Sequence, residues 1–170
     1  MQLTVLLGAP GAGKTTLLSH LHGTDVLVAD MDEILEDGAL LGVPVATDSA
    51  AAHWPAYNRL WARIISMMTR AGVPVLLSAP VTPSEWDTAA AEAGLGVPTT
   101  FVLLDCEDGV RSRRLEERRW SAARISDAIT DAVALRALGL PVLDTSARPV
   151  ADVAVDLTSL VVPDRGRDAG

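Results

Sequence analysis

The chain has 170 residues, 49% of them hydrophobic and 21% charged, and a formal net charge of −8. That length suffices to bury one core; the single cysteine excludes an internal disulfide and a cysteine-based zinc site, and no apolar run approaches the roughly 20 residues that span a bilayer. The acidic balance disfavours an extended nucleic-acid surface, and without a basic region ahead of the first apolar stretch no secretory leader is expected; the reading is a soluble protein of the reducing cytoplasm. In chain order, QLTVLL (2–7) is a short apolar run suited to a strand covered on both faces, and it feeds directly into GAPGAGKTT (8–16). A helix is expected over 14–21, stopped by Gly23. Strands follow at 25–30, 73–79, 99–105 and 140–144. Between them, residues 54–71 place Trp54, Tyr57, Trp61, Ile64, Ile65 and Met68 at three- and four-residue steps, with Pro55 in the first turn and Gly72 as the stop. Residues 83–93, 107–119, 122–138 and 149–160 read as further helices, 37–49 as an irregular insert and 163–170 as a frayed tail. Strands alternating with helices give an α/β fold: a five-stranded parallel sheet with helices on both faces and right-handed crossovers, in one domain over 1–162.

Gly8, Gly13, Lys14 and Thr15 fit G-x-x-x-x-G-K-[ST] between a predicted strand and a predicted helix, the context that a phosphate-binding P-loop requires. The glycines let backbone N–H groups turn inward as an anion nest at a helix N-terminus. The expected nucleotide-binding set is Gly8, Gly11, Ala12, Gly13, Lys14, Thr15 and Thr16, with Lys14 on the β- and γ-phosphates and the Thr15 hydroxyl on Mg²⁺. Lys14 is the only lysine in a chain whose other basic residues, histidine aside, are all arginine. A compact ammonium on a flexible stem threads between phosphates where a planar guanidinium is bulkier. The plainer alternative is a glycine turn that binds nothing.

Three expected strands end in aspartate: Asp30, Asp105 and Asp144. The first continues as DMDEILE, so Asp30 and Asp32 stand two apart at the edge of the sheet where ligands of open α/β folds bind. That spacing lets one carboxylate face a metal's water shell and the other an acceptor hydroxyl; capping of the next helix is the structural alternative. Asp105, in FVLLD, imitates a Walker B strand but is read as a loop or helix-start residue.

At these residues the chain resembles the small P-loop kinases, the group that includes shikimate kinase, gluconate kinase, chloramphenicol phosphotransferase and polynucleotide-kinase-like proteins. The resemblance implies an ATP- and Mg²⁺-dependent phosphotransferase, with Asp30 on the magnesium side together with Thr15 and Asp32 toward the acceptor hydroxyl. In other members a single Asp at this turn is the base, so the division between the two stays open. RSRRLEERR (111–119) resembles the family's R-L-x-x-R through Arg114, Leu115 and Arg118. Helical spacing puts Arg111, Arg114 and Arg118 on one face, where they read as a short arginine-bearing lid over the moving phosphoryl group or as a solvated surface paired with Glu116 and Glu117. The resemblance also implies that the turn after Asp144, Thr145 to Ala147, lies beside the adenine.

The acceptor pocket is quieter. Ser78, Ala79 and Pro80 stand where shikimate kinases carry a glycine triplet, which argues against shikimate. His53, Trp54, Tyr57, Asn58, Arg59, Ser78 and Trp86 are the candidate contacts, with core packing as the alternative for the tryptophans. His20 and His22 are read as the end of the first helix. The expected function is phosphorylation of a hydroxyl on a sugar, cyclitol, nucleoside or antibiotic-like small molecule. The alternatives are a kinase of nucleic-acid 5′ ends and a nucleotide-dependent ATPase or switch acting on a protein partner; no N-K-x-D guanine signature is present. Oligomeric state is left open.

Overall fold

The computed structural model describes residues 2–21, 23–45 and 51–162. The expected tail at 163–170, His22, residues 46–49 of the expected insert and Ala50 lie outside them. Seven strands and six helices follow in chain order: β1 (Leu3–Leu7), α1 (Lys14–Ser19), β2 (Leu27–Asp30), β3 (Ala39–Leu40), β4 (Val43–Pro44), α2 (Trp54–Met68), β5 (Val75–Ser78), α3 (Pro83–Ala93), β6 (Thr99–Asp105), α4 (Asp108–Glu117), α5 (Ala122–Arg136), β7 (Val142–Asp144) and α6 (Val150–Val161).

Five strands form one sheet in the order β2-β5-β1-β6-β7, every neighbouring pair parallel. Side chains of β1 alternate as pleating demands. Leu3, Val5 and Leu7 join Tyr57, Trp61 and Ile65 of α2 and Trp86 of α3, whereas Leu6 joins Leu17 and Leu18 of α1 and Val153 and Leu157 of α6. Covering both faces is what makes these strands continuous apolar runs in the sequence. The expected P-loop fold, with a parallel sheet between helical layers, is the one observed.

Helix boundaries follow local chemistry. Thr82 and Glu85 form a reciprocal capping box with Pro83 in the first turn of α3. After α2 a short 3₁₀ turn at Thr69–Ala71 ends at Gly72, whose φ of 75° is left-handed. The expected first helix is shorter than its apolar pattern: α1 stops at Ser19 and His20 caps it, with its ring nitrogen 2.9 Å from the Thr16 carbonyl.

The expected irregular insert is corrected in part. Residues 39–44 form an antiparallel hairpin of β3 and β4, turning through Leu41 and Gly42 with φ of 51° and 78°. Two-residue strands are too short to show alternation, and a leucine occupies a left-handed turn position that Asn, Asp or Gly usually marks, so the sequence carries no hairpin signal. Among the described residues no helix is long and apolar enough to cross a membrane.

Candidate active site

The phosphate loop leaves β1 pressed against the sheet. A Cβ on Gly8 would meet the backbone carbonyl of Leu104 at 2.8 Å, so nothing larger fits there. Gly11 and Gly13 take φ of 83° and 99°, and Gly13 caps α1 without a side chain. Lys14 is half-buried and its Nζ donates to the Gly8 carbonyl. Burial pulls its pKa down; Asp30 and Asp32 oppose that shift, and Arg111 and Arg118 add to it.

Three successive carbonyls of the loop are each held from outside. Pro10 O accepts from Arg111 Nη1 at 2.6 Å, Gly11 O from Arg114 Nη1 at 3.1 Å, and Ala12 O from Thr145 Oγ1 at 2.8 Å. Holding the carbonyls outward leaves the alternate face of the backbone to the N–H groups, the orientation an anion nest needs. The loop is therefore braced by α4 and by the turn after β7.

Arg111 departs from the sequence expectation. It is fully buried, its Nη2 donates to Asp105, and its Cγ would stand 3.0 Å from a Cβ on Gly11. It supports the loop from below and is no part of an exposed lid. Asp105, expected as a loop or helix-start residue, is an ion-pair centre: Arg136 Nε of α5 reaches its Oδ2 at 2.6 Å while Arg111 holds its Oδ1. Arg136 Nη2 also donates to the Cys106 carbonyl at 2.9 Å and to Asp108 at 2.7 Å. A carboxylate so occupied is not placed to bind metal. Arg114 is also braced: its Nη1 donates to Thr145 Oγ1 at 3.0 Å and its Nη2 to the Thr145 carbonyl at 2.7 Å. Arg118, the residue that caps α4, is exposed, and its side chain makes no hydrogen bond or ion pair among the described residues. The chain between α4 and α5 is only Arg118–Ser121, with Arg119 at φ 59° and Arg124 stacked 3.9 Å over Trp120.

A cleft of about 330 Å³ opens on this braced side, between Gly13, Thr16 and Leu17 of the loop and α1, Arg114 and Glu117 of α4, Arg118 just after it, and Thr145, Arg148, Val150 and Val153. Its cations and apolar floor suit phosphates and a flat base. Ala147 is exposed and does not line it; Arg148 and Val150 do.

On the acidic side, Thr15, Asp30, Asp32 and Glu33 share a second cleft. Asp30 Oδ1 accepts from the Asp32 backbone N at 3.1 Å and so caps the 3₁₀ turn at Met31–Ile34, the structural alternative for it, while lining the same cleft as Thr15. Desolvation, then the charge of Asp30, pushes the Asp32 carboxyl above the ordinary aspartate value, with Lys14 opposing. Among the described residues no three His, Cys, Asp or Glu side chains are arranged to hold a metal ion by themselves. Thr15 and Asp30 thus fit an ion such as Mg²⁺ that arrives with a nucleotide and keeps phosphate and water ligands.

The acceptor candidates separate. Trp86 is fully buried in the core, and Tyr57 and Asn58 are buried on α2, where Tyr57 Oη donates to the Met31 carbonyl and steadies the acidic turn. Arg59 pairs with Glu92 at 3.1 Å on the surface, His53 lies 3.0 Å from the Pro44 carbonyl, and Trp54 is half-buried against Tyr57. Ser78 ends β5 beside Asp30 in register, buried and with its hydroxyl unpartnered. None of the seven lines the third cleft, about 300 Å³, which runs from the loop (Gly8, Ala9, Pro10) past Ala79–Thr82 to Asp131, Ala134 and Leu135 of α5.

A family profile described as AAA domain matches residues 3–137. The chain belongs to this AAA domain family of P-loop proteins. A search of curated proteins returns no match, so further comparison rests on solved structures. A sugar kinase from Janibacter sp. is similar at 21% identity, 96% coverage of each chain and a TM-score of 0.65. A gluconokinase from Sinorhizobium meliloti matches at 20% identity, 94% of this chain and 93% of that one, TM-score 0.59. A shikimate kinase from Acinetobacter baumannii in complex with shikimate matches at 14%, with 94% and 92% covered and a TM-score of 0.61. At these identities the likeness is one of fold.

The AAA domain match ends in α5, so Thr145 and Arg148, which complete the cleft beside the loop, lie beyond it. Sequence reasoning missed Arg148, Asp131 and the Asp105, Arg111 and Arg136 network. The available signal for the network was an aspartate ending a strand six residues before an arginine on the following helix.

Proposed function

We propose that this P-loop protein is an ATP- and Mg²⁺-dependent kinase that phosphorylates a hydroxyl of a small molecule. The observation that carries the reading is the opposition across one loop of a cation-lined cleft and a carboxylate, Asp32, held above its ordinary pKa. The kinases among the similar structures, for a sugar, gluconate and shikimate, support it. The loop amides and Lys14 hold the phosphates, Arg114 and Thr145 keep the loop in shape, and Thr15 with Asp30 holds the ion, which supplies charge neutralisation on the phosphates. Asp32 accepts the proton of the acceptor hydroxyl. The acceptor oxygen forms a bond to the γ-phosphorus as the bond from that phosphorus to the β,γ-bridging oxygen breaks, giving ADP and a phosphate ester. Arg118, unpaired at the mouth of the nucleotide cleft, is placed to meet charge on the transferring group. A raised carboxyl pKa suits a base that must take a proton and later give it up.

ADP release from Mg·ATP tests the reading, measured with no acceptor, with pooled hydroxyl metabolites and with 5′-hydroxyl oligonucleotides. Release that depends on the metabolite pool and vanishes in Lys14→Ala is expected. Dependence on oligonucleotides, or release indifferent to any acceptor, overturns it in favour of a nucleic-acid kinase or an ATPase.

A further inference from the structure

We infer that the acceptor is a hydroxyl compound carrying a protonated amine, bound in the cleft between the phosphate loop and α5 with its ammonium against Asp131. The inference rests on the kinase reading and deepens it. The cleft begins on Gly8, Ala9 and Pro10, loop residues that do not line the nucleotide cleft, and it passes Ala79, which follows Ser78, the register neighbour of Asp30. A molecule seated there lies along the sheet edge that carries the acids. Its walls are mostly methyl, methylene and pyrrolidine groups, with the Thr82 hydroxyl hydrogen-bonded to Glu85, and Asp131 is the only charged residue among the lining residues. Asp131 is solvent-accessible and has no hydrogen-bond or ion-pair partner among the described residues.

The charges around the cleft select for sign. No lysine, arginine or histidine lines either this cleft or the one holding Asp30, Asp32 and Glu33. The nearby cations are engaged elsewhere: Arg111 by Asp105 and Pro10, Arg114 by Gly11 and Thr145, Arg136 by Asp105 and Asp108, and Lys14 by the loop itself. Arg118 stands on the nucleotide side of the loop and does not line this cleft. A carboxylate acceptor would meet Asp131 as the one charged lining residue, whereas an ammonium is drawn in by it and by a chain of net charge −8. One such charge contact at a half-wet site is worth about tenfold in binding. The apolar walls pack the carbon skeleton and leave the hydroxyls to face the loop and Asp32.

The test uses the whole chain with Mg·ATP and matched triads that differ only in charge: glucosamine, glucose and gluconate, and serinol, glycerol and glycerate. Calorimetry with Mg·ATP is run first, since failure to bind the nucleotide defeats the kinase reading and leaves the charge question to the calorimetric binding of serinol against glycerate. With Mg·ATP bound, kcat/KM for phosphate ester formation is expected to fall in the order amine, neutral, acid, with about tenfold between amine and neutral. Asp131→Asn should erase the advantage of the amine, and Asp131→Arg should shift it toward the acid. Turnover of an acid above its matching amine, an amine preference that survives in Asp131→Asn, or a protein that binds Mg·ATP and turns over no amine each overturns the inference.

Discussion

On its α4 side the phosphate loop is braced by three side chains on three successive carbonyls, and a buried guanidinium anchors that brace to Asp105. On its α5 side the loop meets apolar walls and one unpaired carboxylate. The contrast matches what each side would recognise in the proposed kinase. Triphosphate geometry is the same for every nucleotide, so its cradle can be built in advance from bonds that never reorganise. An acceptor is told apart by shape and charge, and that requires groups left open until it arrives.

Five substitutions probe how far the contrast goes. The largest effect is expected at Asp32. Asp32→Asn keeps the shape and removes the base, so phosphoryl transfer should fall about 10²- to 10⁴-fold while calorimetry shows Mg·ATP affinity retained; equal loss of both would mean that the two sides are not separable at this residue. The pH profile adds a sign. Activity requires the deprotonated carboxylate, and since burial and Asp30 raise its pKa, the acidic limb of kcat should lie above the ordinary aspartate range and move to lower pH in Asp30→Asn.

Next in size are the changes beneath the loop. Asp105→Asn leaves the Arg111 guanidinium buried without its counter-charge and should lose about 3–5 kcal/mol in urea unfolding. Arg111→Met removes the charge while Arg136 still pairs with Asp105, so it should unfold less readily than Asp105→Asn yet bind Mg·ATP more weakly than the parent, because Pro10 is no longer held. Unchanged nucleotide affinity in Arg111→Met would show that the loop keeps its shape without the brace. The smallest effect belongs to the exposed Arg118. Arg118→Ala should lower kcat roughly tenfold with little change in the KM for ATP, the pattern of a contact made in the transition state; a raised KM with intact kcat would place Arg118 in ground-state nucleotide binding.

The loop and the sheet were legible because both are local. GAPGAGKTT carries its own turn chemistry, and strands covered on both faces announce themselves as apolar runs. The aromatic residues of α2 were legible as a helix face but not as core or pocket, since periodicity says which residues share a side and not what lies across from it. Arg111 failed for the same reason. Spacing put it beside Arg114 and Arg118, but α4 lies against the loop at its start and meets solvent at its end, so three arginines of one stripe have three degrees of exposure. Asp131 was invisible because its only distinction is the cleft it faces, assembled from residues more than a hundred positions apart.

Asp105 links two parts of the protein that otherwise do not touch the same ligand. Through Arg111 it reaches the phosphate loop at Pro10, and through Arg136 it reaches the last turn of α5, the helix that also bears Asp131 and Leu135. On the proposed reading, a shift of α5 on acceptor binding would reach the Pro10 carbonyl of the loop through this path. Any such coupling obeys reciprocity: the factor by which bound nucleotide strengthens acceptor binding is the factor by which bound acceptor strengthens nucleotide binding. In the proposed kinase, a shared carboxylate of this kind would make the occupancy of either site felt at the other, by the same factor in both directions.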